Sequence, residues 1–178
     1  MLRGNLTGLR AIEKSDLTSL LEWRNKPCYR RYFREYRELS LEHQNNWYAA
    51  ISHNQSKSLM FSIVALNTGQ LLGASGLCNI DWINQNADFS IYIGVEDLYI
   101  DEKFAPDASR SMIKYAFFEL GLHRIWAEIY SFDIQKKKLL TDLGFRLEGQ
   151  HRQTHWSENK WHDSLFFGLL RDEFKSFL

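Results

Sequence analysis

Residues Ala108–Phe145 read ASRSMIKYAFFELGLHRIWAEIYSFDIQKKKLLTDLGF, and their apolar patterning changes period twice. Ala108, Met112, Ala116 and Leu120 recur at helical spacing, and Ile113 and Phe117 widen the same stripe, which predicts an amphipathic helix. Gly121 stands where a left-handed C-terminal cap is wanted. Ile125, Ala127 and Ile129 then alternate with Trp126, Glu128 and Tyr130 in the manner of a strand. Asp133 is placed to cap a second helix carrying Leu139, Leu140 and Leu143, which stops at Gly144 before Phe145 opens another strand. A unit of this kind can present a helix N-terminus to a ligand phosphate.

Upstream, Leu9 to Glu13 reads as a strand, and Ser15 or Asp16 can cap a helix through Leu17, Leu20, Leu21 and Trp23 that Pro27 ends. Tyr29 to Ile51 is aromatic and charged, with a helix from Ser40 expected to bury Leu41, Trp47 and Ile51. Ser40 and His43 fall short of a full capping box, because no Glu or Gln stands at the third position. Leu59 to Leu66 and Gln70 to Ile80 flank Asn67-Thr68-Gly69 as a hairpin would. A polar loop at Asn84 to Asn86 precedes the alternating Phe89, Ile91 and Ile93. Downstream, Arg146 to Trp156 and Asp163 to Leu170 are strands joined through Ser157 to Lys160. The order predicts a mixed α/β domain, residues 1–178, on one central sheet.

Composition narrows the function. The 178 residues, 44% hydrophobic, can bury a core without disulfide or metal. Lys plus Arg equal Asp plus Glu at 22 each, so charge gives no general pull toward nucleic acid or an anionic membrane. Arg and aromatic residues interleave at Tyr29 to Arg37, but Glu35 and Glu38 weigh against a nucleic-acid surface. Cys28 and Cys78 lack metal-ligand spacing and point to a reducing, cytoplasmic setting. The opening MLRGNLTGLRAI has no long apolar run, so neither signal peptide nor anchor is expected. Among the six histidines, His151 and His155 share a strand face but lie about 13 Å apart, too far for one ion, and no metal is expected.

The ordered series LRAIEKSDLTSLLEWRN, GASGLCNIDWINQNADFSIYIG, YAFFELGLHRIWAEIY, LLTDLGFRLEGQHRQ and WHDSLFFGLLRDEF resembles the GCN5-related N-acetyltransferase superfamily, and within it the RimJ/RimL type. The resemblance covers nearly the whole chain. It implies a mostly antiparallel sheet that splays between two neighbouring strands, flanked by helices, with acetyl-CoA as cosubstrate in the splay. It also implies direct acetyl transfer to a primary amine on a protein N-terminus, an amino sugar or a small molecule. Acetyl-CoA and the amine acceptor are the expected partners, without nucleic acid or membrane, and a homodimer is left open.

The resemblance carries roles onto particular positions. Backbone groups at Tyr92, Ile93 and Gly94 are the implied contacts for the acetyl and pantetheine portion. The family's phosphate loop falls on Ile100 to Ala105, where it is rewritten. Ile100 replaces the usual Arg or Gln, Lys103 the usual glycine, and Pro106 removes an amide donor. One reading has Lys103 supply a cation while amides near Phe104, Ala105, Asp107 and Ala108 keep part of the cradle. The other has Pro106 and Asp107 merely starting a helix, with Lys103 solvated. Asp101 and Glu102 are unfavourable beside phosphate.

Asp88 occupies the place where relatives often carry Glu and is the candidate base, against a plain strand-end carboxylate. Asp81 shares that ambiguity, as a strand end or turn former. Asp133 replaces a usual Asn near the cofactor, though helix capping accounts for it, and Lys136 to Lys138 could meet the adenosine phosphate. The family's tyrosine acid is Leu140 here, so that role is dropped, moved to a residue such as Tyr130, or left to solvent. Arg24, Asn25, His43 and Trp47 resemble an acceptor-binding pattern, with helix packing as the alternative. The rewritten loop also keeps open a catalytically degenerate module of the same fold that binds acyl-CoA weakly or not at all.

Overall fold

The computed structural model describes residues 1–53 and 57–175 and folds them around one eight-stranded sheet. The chain enters through β1 (Leu2–Arg3) and β2 (Thr7–Ala11), then forms α1 (Leu17–Asn25), α2 (Pro27–Arg30) and α3 (Leu41–Ile51). The strands β3 (Leu59–Ala65), β4 (Leu71–Asp81) and β5 (Asn86–Ile93) follow, then α4 (Phe104–Lys114), β6 (Arg124–Tyr130) and α5 (Ile134–Asp142). The hairpin of β7 (Arg146–Ser157) and β8 (Lys160–Leu170) completes the sheet, whose order is β1-β2-β3-β4-β5-β6-β8-β7. Among the described residues no helix is long and apolar enough to cross a membrane.

Every neighbouring pair is antiparallel except β5 and β6. These two are parallel because the connection between them is a crossover through α4, and a parallel pair needs such a return. Their ladder covers only Asn86 with Arg124, Ala87 with Ile125 and Asp88 with Trp126. Beyond it β5 runs on to Ile93 and β6 to Tyr130 unpaired with each other, so the sheet splays. A bulge in β4 between Cys78 and Asp81, with Asn79 at φ 50°, adds local twist where β5 begins.

The helix–strand–helix unit positions that splay. α4 buries Ala105, Ala108, Met112 and Ile113 against the sheet, and each of the larger side chains contributes about 1.5–3 kcal/mol by leaving water. The helix continues through a π turn at Tyr115–Glu119 before Gly121 ends it at φ 70°. Gly144 ends α5 at φ 93°, as its place in the sequence predicts.

Three local expectations need correction. Pro27 does more than stop α1: it takes the first-turn position of α2, where its missing N–H costs nothing. The Ser40 cap is closed after all, since Ser40 Oγ accepts the His43 amide at 3.2 Å and His43 Nδ1 accepts the Ser40 amide at 3.0 Å. An imidazole thus replaces the usual carboxylate. Leu41 is exposed, whereas α3 turns Gln44 inward, leaving it only 2% accessible.

Candidate functional site

A guanidinium spans the two strands at the start of the splay. Arg34, in the segment after α2, places Nη1 2.7 Å from Asp88 Oδ2 on β5 and Nε 3.1 Å from Glu128 Oε2 on β6. One planar cation therefore bridges the two strands just where their ladder has ended, and it also lies over the Trp126 ring. Asp88 is buried, and burial raises its pKa against the opposing pull of Arg34 and Lys136. Lys136 responds in the opposite sense: burial lowers its pKa while Asp133 and Asp88 raise it. Burial also raises the Cys78 thiol.

These groups share a cavity of about 260 Å³. Asp88, Glu128, Lys136 and Cys78 line it together with Arg24, Phe33, Gln44, Trp47 and Tyr92. A larger, open depression of about 730 Å³ along β7 at Gln150–Gln153 lacks any buried titratable group. The convergence of buried charge singles out the smaller cavity.

Above the cavity, aromatic packing fixes the far half of the splay. The Tyr29 hydroxyl lies 2.9 Å from the Ile93 carbonyl and 3.1 Å from that of Gly94, within donating distance of both. Tyr32 stacks on Tyr99 at 4.0 Å, and the Tyr99 hydroxyl donates to Asp133 Oδ2 at 2.5 Å. Asp133 Oδ1 accepts the Lys136 amide at 3.0 Å, so both its oxygens serve helix capping and Tyr99. The Ile93 amide donates to Tyr99 and that of Gly94 to Leu72, each at 2.7 Å. Those two donors, expected to meet an acyl group, are spent inside the protein. Tyr92 pairs opposite Ala74 and turns its ring to the cavity wall.

The start of α4 is occupied by its own chain. Asp101 Oδ2 accepts the Lys103 amide at 3.0 Å and the Phe104 amide at 2.8 Å, while Oδ1 accepts the Ala105 amide at 2.7 Å. Pro106 has no N–H to add. A carboxylate thus holds the position that the macrodipole and first-turn amides would offer an external anion. Lys103 is exposed, with its ammonium 4.9 Å from the Phe104 ring centroid. The groove beside this loop carries Asp101, Glu102, Asp107 and Asp142 against Lys103, Arg110 and Lys138. Lys138 already pairs with Asp142 at 3.0 Å and Glu102 at 3.6 Å.

Asp107 borders that groove, but both its oxygens are already engaged. It accepts the amides of Asn5, Leu6 and Thr7 and the Thr7 hydroxyl, at 2.7–3.0 Å, tying α4 to the turn before β2. Burial would raise its pKa, but the Thr7 hydroxyl and the three amides outweigh burial and hold it below the usual carboxylate range. Ala108 is fully buried in the core.

Of the remaining candidates, the structure brings Arg24 and Trp47 to the cavity of Asp88 and leaves Asn25 and His43 outside it. Asn25 clamps the Leu39 backbone through two hydrogen bonds of 2.8 Å, and His43 caps α3. Asp81 forms the turn after β4 by accepting the Ile83 and Asn84 amides. Lys136 faces the splay rather than the outer side of α5. Leu140 is buried, and Tyr130 stacks on His155 at 3.6 Å. No group of three or more metal-ligating side chains converges among the described residues. Arg34, Glu128 and Gln44 were not singled out by the sequence. The only hint was that Arg34 sits in an aromatic run and Glu128 in an otherwise apolar strand.

Residues 7–146 match the family described as an acetyltransferase (GNAT) domain. The chain is 31% identical over 114 residues to the uncharacterized N-acetyltransferase p20 of Bacillus licheniformis, covering 64% of this chain and 63% of the relative. It is 30% identical over 111 residues to the putative ribosomal N-acetyltransferase YdaF of Bacillus subtilis (strain 168), covering 62% and 59%. The chain thus spans somewhat under two thirds of the length of these curated relatives. The crystal structure of spermidine N-acetyltransferase from Vibrio cholerae in complex with CoA and spermine shares the fold, with a TM-score of 0.85 at 23% identity, over 94% of this chain and 97% of that one.

Proposed function

Because the chain belongs to the GNAT acetyltransferase family, we propose that it is an acetyl-CoA-dependent N-acetyltransferase that passes the acetyl group directly to a primary amine. The observation that carries this reading is the splay past Asp88 and Trp126, opening on a cavity with a buried carboxylate at its edge. The acyl-pantetheine arm fits between β5 and β6, where backbone no longer pairs across. The acceptor is a protein N-terminus, as the YdaF likeness and the RimJ/RimL resemblance favour, or an amino sugar or small amine, as the small cavity favours.

The chemistry needs a neutral amine, a proton acceptor and a dry site. Asp88 is the proton acceptor in this reading, drawing the proton directly or through one water. Burial makes its carboxylate more basic than a surface one, while Arg34 keeps it ionised and orients it. Lys136 adds a nearby cation whose charge favours a developing oxyanion or thiolate. With Leu140 in place of a tyrosine, the proton for the leaving thiolate comes from Tyr130 or solvent. Cys28 and Cys78 are unbridged, which favours a reducing compartment, the cytoplasm.

A second reading has one observation behind it. Asp101 sits on the amides that would cradle a pyrophosphate, which favours a module of this fold that holds acyl-CoA weakly. Calorimetric titration of acetyl-CoA and CoA, followed by a screen of amines for released thiol, separates the two. Binding and turnover support the enzyme, binding without turnover supports the module, and no binding at about millimolar ligand ends the acetyltransferase reading.

A further inference from the structure

Resting on the acetyltransferase reading, we propose that the acceptor is a small amine bearing a carboxylate, gripped by the Arg24 guanidinium and the Gln44 side-chain amide. Gln44 is 98% buried by accessibility, 2% being exposed, and lines the cavity with a side-chain nitrogen that meets no hydrogen-bond partner among the described residues. Arg24 lines the same cavity, and its buried Nε likewise has no partner. Buried donors are nearly always satisfied; of the four side-chain nitrogens among the described residues that are not, those of Arg24 and Gln44 belong to side chains that line this one cavity, while those of Arg31 and His162 do not, and the pair marks where a ligand could supply acceptors.

The pattern of ion pairs gives the ligand its sign. Three cations line the cavity. Arg34 is paired with Asp88 and Glu128, and Lys136 lies in the fields of Asp133 and Asp88. Arg24 makes no ion pair with any described residue. The carboxylate of Glu35 feels Arg24 but is bonded to Arg37, through both oxygens at 2.9 and 2.7 Å. Arg24 thus has no direct carboxylate partner among the described residues, and an anionic group on the acceptor would supply one. A carboxylate matches the guanidinium in valence and in its planar pair of oxygens, which suits an arginine fork.

The setting supports the same ligand. The Arg24 guanidinium carbon lies 4.8 Å from the Phe33 ring centroid, a cation–π contact that helps fix its place. Trp47 and Tyr92 supply an apolar wall for the carbon linker. At about 260 Å³ the cavity sits just below the usual ligand range of about 300–1,000 Å³, which suits an amino-acid-sized acceptor. A polyamine would bring a second ammonium toward Arg24, where like charges repel.

The test compares glycine, β-alanine, 4-aminobutyrate and L-lysine, each with its own carboxamide, and adds spermidine and phosphoethanolamine. Thiol release is measured with the wild type, Arg24→Gln, Arg24→Lys and Gln44→Met, each checked for folding by thermal melting. At least one carboxylate is expected to exceed its carboxamide in kcat/KM by about 10- to 100-fold, the range of a charge-assisted hydrogen bond. Arg24→Gln should bring that ratio toward one through KM, Arg24→Lys should restore part of it, and Gln44→Met should reduce it. Preference for spermidine, phosphoethanolamine or the carboxamides overturns the inference while leaving the acetyltransferase reading intact. So does an equal loss of kcat with every acceptor in Arg24→Gln, which would make Arg24 a donor to the thioester oxygen. If no amine is turned over, calorimetry with the same compounds decides: binding of a carboxylate that Arg24→Gln abolishes supports the site, and no binding to the wild type refutes it.

Discussion

The loop ahead of α4 satisfies its own donors, whereas the cavity beneath α1 and α3 leaves two unsatisfied. At the loop, the amides of Lys103, Phe104 and Ala105 all point at Asp101. In the cavity, Arg24 Nε and Gln44 Nε2 are buried and point at no protein acceptor. Both regions could receive an anion from outside, but only one has kept its donors for it. Folding pairs polar groups wherever it can, and of the four buried side-chain nitrogens left over among the described residues the two that share a cavity are the more informative sign of a ligand.

The largest effect that sharpens this contrast is expected in the cavity. Asp88→Asn should lower kcat by about 10²- to 10⁴-fold, the usual contribution of a general base, with a much smaller change in acetyl-CoA affinity. Steady-state thiol release across the neutral range reads both, and an unchanged kcat would move the base elsewhere.

Next comes the anchor of α4. Asp107→Ala strands three amides and the Thr7 hydroxyl and should cost roughly 2–3 kcal/mol in urea unfolding. The pH dependence follows from the sign. Because the folded Asp107 pKa is depressed, its contribution is present above the unfolded value of about 4 and is lost as pH falls through the folded value. Asp88 is opposite: its raised folded pKa favours the folded state at low pH, and that contribution is lost as pH rises through the folded value. Unfolding at descending pH should therefore show the wild type losing stability below about pH 4, with Asp107→Ala losing less.

Smaller effects belong to the loop itself. Asp101→Asn removes the competing charge and should tighten acetyl-CoA binding about tenfold, at a cost of roughly 1 kcal/mol in the α4 cap. Weaker binding would mean that Asp101 shapes the cradle rather than filling it. Lys103→Ala should change stability by less than about 0.5 kcal/mol and affinity by less than about twofold. A tenfold loss of affinity would restore Lys103 as the phosphate cation and break the contrast between the two regions.

Most of the fold was legible because it is written locally. The stripe from Ala108 to Leu120, the alternation of Ile125 to Ile129 and the positive-φ glycines at 121 and 144 each report on neighbours in sequence. The site was legible only in part. Asp88 could be found from its place at the start of β5, and Arg24 and Trp47 from their resemblance to an acceptor pattern. Arg34 could not, since it meets Asp88 and Glu128 across 54 and 94 residues of chain, and no periodicity encodes such a contact. Gln44 was hidden for another reason. In the run Glu42-His43-Gln44-Asn45-Asn46 a polar side chain reads as solvated, so Leu41 looked like the buried residue, whereas α3 packs Trp47 and Ile51 against the core as expected and buries Gln44 in place of Leu41. The occupied loop was half legible: Asp101 stood out as unfavourable beside phosphate, but its grip on three amides is a matter of backbone geometry.

The central claim is that cofactor affinity resides in the splay and not in the self-capped loop. Its most direct test is calorimetric titration of acetyl-CoA and of acetylpantetheine, which lacks the nucleotide diphosphate, into the wild-type protein. Dissociation constants within about tenfold of each other are expected, a gap of no more than about 1.4 kcal/mol for the whole nucleotide half. Acetyl-CoA binding about a thousandfold more tightly than acetylpantetheine, or neither binding at about millimolar concentration, would contradict the account.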